Sequence, residues 1–221
     1  MPDSYEPSVS WGLLVVDMQR YYLDEDSGFA QYHHHSEPGC LDYISQRCTQ
    51  VVTPNILRLC EATRQLDRPV IYLRLCGQND DRSDLHHTFQ QAHHRGATAG
   101  FQNIYPIESD PFAAVIPEIA PIPGDSVLCK TTFSGFTTSE LPTVISKLGL
   151  QRLIFTGLAT SQCVETTARD AADRGLQVVH VEDAQADYSE TVHRASLYSS
   201  QGVCGGFIMD TNNVLEAPWF H

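Results

Sequence analysis

The chain has 221 residues, 42% of them hydrophobic, which suits one α/β domain with a full core. The formal net charge is −13 and the 14 lysines and arginines form no cluster, which argues against nucleic-acid binding. No apolar run approaches the roughly eighteen residues of a membrane span, and the opening stretch MPDSYEPSVSW has no basic-then-apolar leader pattern, so neither a membrane anchor nor a secretory signal is expected.

Strand and helix patterns then alternate. The first strand is Trp11–Asp17 (WGLLVVD), followed by a long irregular segment, 18–47. Val52, Ile56, Leu59, Thr63 and Leu66 fall on one helical face, with Pro54 at the start or at a kink. The second strand is Pro69–Leu75 (PVIYLRL), and a second irregular segment, 76–125, leads to the third, Ser126–Lys130 (SVLCK). Leu141, Val144, Ile145 and Leu148 make a helix that Gly149 should cap. After the fourth strand, Leu153–Gly157, a helix carries Val164, Ala168, Ala171 and Ala172, with Glu165 and Arg169 as an i, i+4 pair, and ends at Gly175. The fifth strand is Leu176–Val181, a last helix shows Val192, Ala195, Ser196 and Tyr198, and Gly205–Met209 is a weak sixth strand.

Apolar runs without strict alternation suit strands buried on both faces. The pattern predicts a single-domain, three-layer α/β/α fold over 1–221 with an open, mainly parallel six-stranded sheet. The segments 18–47 and 76–125 are too long for simple connections and are expected to act as lid or interface elements. Their apolar side chains (Tyr21, Tyr22, Phe29, Tyr32, Phe89, Phe101, Tyr105 and Phe112) would be exposed in an open loop, which favours a homo-oligomer, a dimer or tetramer.

Open α/β sheets bind ligands beyond the carboxyl ends of their strands. Asp17 ends the first strand, Lys130 ends the third, and Cys163 opens a helix after the fourth. A helix start and a nearby ammonium both favour a thiolate, so a lowered thiol pKa and fast alkylation are expected of Cys163. Asp17 can accept the thiol proton and return it to a leaving nitrogen. The other cysteines, Cys40, Cys48, Cys60, Cys76, Cys129 and Cys204, include no CxxC and read as structural free thiols in a reducing cytoplasm.

These residues resemble those of isochorismatase-like cysteine hydrolases. The segment 157–175, GLATSQCVETTARDAADRG, is similar to the family's nucleophile region. LLVVDMQ (13–19) resembles its aspartate motif, KTTFSGF (130–136) its lysine motif, and VEDAQAD (181–187) through His193 the segment after the fifth strand. The resemblance implies a Rossmann-like fold with Asp17 as acid/base, Lys130 as charge stabiliser and Cys163 as nucleophile. It also implies an oxyanion hole from the backbone N–H groups of Ala159 and Cys163, a cis Leu158–Ala159 bond, and Tyr22, Phe133 and Phe136 at the substrate. With the cysteine present, it implies hydrolysis of an amide, carbamoyl or ureido C–N bond of a small molecule through an acyl-enzyme, without a cofactor. A vinyl-ether hydrolase, a metal-containing nicotinamidase and a non-enzymatic interaction protein are the alternatives. Asp84 and His86, with His93 and His94, have a spacing seen in metal-binding relatives, but Asn79–Asp84 is more similar to metal-free ones. No metal is expected, and His33, His34 and His35 read as loop residues. His180 and His193 read as hydrogen-bonded structural groups.

Overall fold

The aliphatic runs form strands because helices cover them on both sides. The computed structural model describes residues 9–204 and 206–221. Residues 1–8 of the leader reading and Gly205 of the sixth-strand reading lie outside the described residues. Strands β1 (Trp11–Val16), β2 (Val70–Leu75), β3 (Ser126–Lys130), β4 (Arg152–Leu158), β5 (Gln177–Ala186) and β6 (Phe207–Met209) form one all-parallel sheet ordered β3-β2-β1-β4-β5-β6. The helices are α1 (Arg20–Leu23), α2 (Gly28–Ser36), α3 (Asp42–Arg47), α4 (Thr53–Gln65), α5 (His87–Thr98), α6 (Gly135–Thr138), α7 (Leu141–Leu148), α8 (Glu165–Asp173), α9 (Glu190–Cys204) and α10 (Thr211–Leu215).

Right-handed crossovers place these helices. The chain steps outward from β1 to β2 through α4, then from β4 to β5 and β6 in the opposite direction through α8 and α9. Helices of the two halves therefore land on opposite faces, α4 beside α10 and α8 beside α9. The strand order reverses between β1 and β4, which opens a crevice at their carboxyl ends.

The predicted helices over 53–65, 141–148 and 165–173 form, with Gly149 in the left-handed C-cap and the Glu165–Arg169 ion pair in place. Pro54 sits in the first turn of α4, yet the helix has no free start. A wide turn over Cys48–Val52, in which the N–H of Thr53 reaches back to the Cys48 carbonyl, joins it to α3. β5 runs five residues beyond the predicted Val181, past a register shift opposite β4. Exposed Glu182 and half-buried Asp183 interrupt its apolar run and conceal the extension.

Two expectations need correction. The segments 18–47 and 76–125 are not simply irregular: they hold α1, α2, α3 and α5, with single 3-10 turns at Pro111–Ala113 and Pro117–Ile119. Helix α2 (GFAQYHHHS), which contains His33, His34 and His35, buries only Phe29 and Ala30, too little for a periodic apolar signal. Its start is set by Ser27, whose hydroxyl accepts from the N–H of Ala30 at 3.0 Å. The aromatic side chains of these segments also pack on their own subunit. Tyr21, Tyr22, Phe29, Phe89 and Tyr105 are buried, and Tyr32, Phe101 and Phe112 lean on the same core, so they give no physical reason for an oligomer. In α9 three of the four residues inferred from sequence, Val192, Ala195 and Tyr198, lie on the outer face, and Ser196 alone of them faces inward. Val192 and Tyr198 are 42% and 81% exposed, whereas His193, Ser196, Leu197 and Ser200 face inward.

Candidate active site

Each member of the predicted triad is delivered by a strand end. Asp17 follows β1 with φ at 50°, a left-handed conformation that a short acidic side chain tolerates. This turns its carboxylate out of the sheet while its N–H still bonds the Leu73 carbonyl at 2.9 Å. Gln19 anchors the same turn: its amide donates to the carbonyls of Leu75 and Ala113 and accepts from the N–H of Leu75 at 2.7 Å. Lys130 is the last residue of β3. Cys163 lies in a wide turn, Thr160–Val164, that leads from β4 into α8. Gly157 makes the close approach of β4 to β1 possible. Its φ is 102°, and a Cβ there would lie 2.0 Å from the Val16 carbonyl oxygen.

The three side chains meet out of water, with Lys130 0%, Asp17 2% and Cys163 4% exposed. The Lys130 ammonium has three N–H groups and three acceptors: Asp17 Oδ2 at 2.8 Å, Cys163 Sγ at 3.2 Å and the Thr132 carbonyl at 3.1 Å. Burial alone would favour loss of its proton, but the charge of Asp17 and the sulfur of Cys163 outweigh it and hold the lysine above its ordinary pKa. The other carboxylate oxygen, Asp17 Oδ1, is buried without a hydrogen-bond partner in the structure.

The expected lowering of the Cys163 thiol is overturned. Burial pushes it well above the ordinary thiol range, and Asp17 adds to this; Lys130 pulls it down but does not prevail. These directions favour a proton on the sulfur beside a charged Lys130. Helix position and a nearby lysine are visible in sequence, but the degree of burial is not.

Hydrogen bonds between distant segments hold the nucleophile turn. Asp187 accepts from the N–H of Ser161 at 2.6 Å. The Thr160 hydroxyl reaches the Ala186 carbonyl and, at 2.8 Å, Nδ1 of His193. The Thr167 hydroxyl donates to the Cys163 carbonyl at 2.6 Å and accepts from the N–H of Gly135, and Ser134 donates to Asp170 at 2.7 Å. These contacts clamp the lysine loop to α8. Asp187, Thr160, Thr167, Asp170 and Gln19 all lie inside or beside the motifs singled out from sequence, but spacing alone does not assign them a role. The implied cis bond is corrected: no cis peptide occurs among the described residues, and Leu158–Ala159 is trans. Gly157 makes the turn by its φ instead, and a trans bond between non-proline residues is the stable form.

Of the aromatic candidates, Tyr22 is buried with its hydroxyl 2.5 Å from that of Tyr188. Phe133 packs on Phe89 and His86 at ring separations of 4.4 and 5.2 Å. Phe136 is not brought to these rings. It lies 4.9 Å from the Arg174 guanidinium at the far end of α8, because Ser134 caps α6 and turns it there. Tyr21, Tyr105 and Tyr188, not singled out as site residues from sequence, lie close enough to the triad for Cys163 to act on their hydroxyls; burial raises all three first, followed by Asp17 for Tyr21, Tyr188 for Tyr105 and Asp187 for Tyr188. A groove of about 620 Å³ between α1, α4 and residues 116–118 contains none of the triad. Among the described residues no three His, Cys, Asp or Glu side chains are grouped to hold a metal. The Asp84 carboxylate instead accepts from the N–H groups of Gln78 and Asn79.

His180 and His193 couple this region to pH. His180 bonds Ser200 at 2.8 Å, and His193 lies between Thr160 and Arg47. Burial lowers both to about 4; for His193 the neighbouring positive charges of Arg47 and Arg194 contribute further. The unfolded chain binds these protons first, near pH 6.5. Stability is therefore complete above that pH and is lost as pH falls towards 4, at up to about 1.4 kcal/mol per unit for each histidine. Urea unfolding at pH 7.5 and 5.0 should show this decline, with a shallower slope in His193→Gln. A slope unaltered by that substitution would count against the assignment.

An open all-parallel sheet that gathers a lysine, a carboxylate and a buried thiol beyond its carboxyl edge defines the architecture as an α/β fold with its polar cluster at that edge. The isochorismatase domain model matches residues 12–213, and the chain belongs to the isochorismatase family. Ureidoacrylate amidohydrolase RutB of Variovorax paradoxus is 39% identical over 92 residues, 41% of this chain and 36% of that protein. RutB of Azorhizobium caulinodans is 34% identical over 93 residues, 42% and 41%. The matched stretch thus spans well under half the length of these curated relatives. Among solved structures, a cysteine hydrolase from Pseudomonas syringae pv. phaseolicola superposes with a TM-score of 0.76 at 23% identity, over 97% of this chain and 94% of that one. N-carbamoylsarcosine amidase from Thermoplasma acidophilum gives 0.65 at 23%, over 92% and 98%. Both likenesses concern the fold.

Proposed function

We propose that the protein is a cysteine hydrolase that cleaves an amide, carbamoyl or ureido C–N bond of a small molecule, with Cys163 as nucleophile. The observation that carries this reading is the unpartnered Asp17 oxygen in a cluster where Lys130 already bonds both the other oxygen and the Cys163 sulfur. The carboxylate therefore keeps one acceptor site open for a proton.

On binding, the thiol proton passes to Asp17, and the thiolate, balanced by Lys130, attacks the carbonyl carbon. The oxyanion develops at the start of α8, where the N–H groups of Ala159 and Cys163 are the assigned donors. The Ser161 N–H is already held by Asp187 and is not one of them. As the C–N bond breaks, Asp17 gives its proton to the leaving nitrogen. It then takes one from water; the resulting hydroxide attacks the acyl carbon, the C–S bond breaks to release the acid, and Asp17 returns the proton to the Cys163 sulfur. Tyr22 and Phe133, with Tyr105 and Tyr188, are the assigned walls of the substrate site. The ureidoacrylate and carbamoylsarcosine activities named for two relatives favour a ureido or carbamoyl group over a simple amide.

An ammonia-release screen over small amides, ureas and N-carbamoyl compounds tests the proposal. Turnover of at least one carbamoyl or ureido compound is expected, and none with Cys163→Ser. Equal turnover by that variant would remove the covalent mechanism.

A further inference from the structure

A pair of sulfurs lies at one edge of the sheet, apart from Cys163. Strand β3 is an edge strand, and its register against β2 pairs Arg74 with Cys129 and Leu75 with Lys130. Cys76 comes one residue after β2, and its N–H bonds the Lys130 carbonyl. Arg74 and Cys76 are two residues apart, so both share the face of Cys129. Their side chains meet there. Cys76 Sγ is 2.9 Å from Cys129 Sγ, which also lies 3.2 Å from the Arg74 guanidinium and 3.0 Å from the Glu108 carboxylate. Cys76 is fully buried, whereas Cys129 is partly exposed.

We propose that Cys76 and Cys129 are a redox-active dithiol, a thiol site separate from Cys163, whose oxidant is a low-molecular-weight disulfide. The geometry divides the roles. Cys129 is within reach of solvent, and its sulfur is served by a guanidinium and by the Cys76 S–H. Cys76 is hidden from an oxidant but touches Cys129. The sulfurs need less than about 1 Å of further approach to reach a disulfide bond. Two thiolates on one tetrahedral zinc stand roughly 3.8 Å apart, so this spacing favours a disulfide over a shared metal.

The reaction balances. The Cys129 thiolate bonds to one sulfur of the oxidant, whose S–S bond breaks to release one thiol. Cys76 then loses its proton, its sulfur bonds to Cys129 Sγ, and the second thiol leaves. Two electrons pass from the cysteine pair to the oxidant, and both protons end on the released thiols. The ionisation tendencies agree: the Cys76 hydrogen bond lowers the Cys129 thiol, while burial and Asp17 raise that of Cys163. Cys129, partly exposed beside Arg74, should react faster than buried Cys163.

The full chain, reduced and then exposed to glutathione disulfide near neutral pH, should be quenched with an alkylating agent and digested with trypsin. The expected product is a linked pair of peptides, residues 75–82 and 96–130, two hydrogens lighter than their sum. Cys76→Ser should stop with one glutathione on Cys129, and Cys129→Ser should leave Cys76 free. Either of two results would overturn the proposal: glutathione that stays on wild-type Cys129 without a link, or wild-type Cys76 and Cys129 that both remain unmodified. Because the readout is a covalent link between residues outside the triad, it does not depend on the hydrolase reading.

Discussion

Asp17→Asn should change two properties of Cys163 in opposite directions. Turnover should fall by roughly 10²- to 10⁴-fold, because the proton route from thiol to leaving nitrogen is gone. Alkylation of Cys163 by iodoacetamide should become faster. Burial is the main force holding the thiol proton and the Asp17 charge is the next, so removing that charge leaves Lys130 opposed by burial alone. In the wild type the alkylation rate should keep rising with pH beyond the ordinary thiol range, because the group is raised. Cys163→Ala should be inactive but folded, since it removes only one small buried atom. Time-resolved mass spectrometry of the Cys163 peptide, with ammonia release in parallel, measures both quantities. Slower alkylation in Asp17→Asn would contradict this charge distribution.

Lys130→Met should be the most destabilising single change at the site. The variant leaves Asp17 ionised, buried and unpaired, which typically costs about 3–5 kcal/mol. Asp17→Asn combined with Lys130→Met removes the stranded charge and should recover much of the loss. The stabilisation also has a pH sign. The folded lysine is raised above its unfolded value, so its contribution is complete below about pH 10.4 and is lost as pH rises through the higher folded value. Urea midpoints of the wild type and the single and double variants give the comparison. A Lys130→Met protein within about 1 kcal/mol of wild type would mean that the pair is not held as described.

Asp17, Lys130 and Cys163 are legible because strand ends are legible: each follows a short aliphatic run, and parallel sheets gather such ends along one edge. The strand count and the helices with inward apolar stripes follow from the same periodicity. What is not legible depends on neighbours distant in sequence. Helices α2 and α5 are polar because α2 packs few side chains and α5 mainly Phe89 and Gly96. Phe133 and Phe136 are three residues apart, yet a cap at Ser134 sends them in different directions. The raised Cys163 thiol is not legible in sequence because burial, the dominant influence, is a property of the assembled core. Cys76 and Cys129, 53 residues apart, look like unrelated structural thiols until the register of β2 and β3 brings them together.

The cluster joins residues far apart along the polypeptide, with 113 positions between Lys130 and Asp17 and 33 between Lys130 and Cys163. The turn that presents Cys163 is tied in addition to Asp187, 26 positions beyond Ser161. During synthesis, then, the turn that carries Cys163 cannot be fixed before Asp187 has been made. A ribosome-bound chain that has not yet emerged past Asp187 carries a cysteine but no organised centre around it. On the proposed reading, hydrolytic competence should be absent until Asp187 has emerged, so that products shortened before that residue are inert towards substrate.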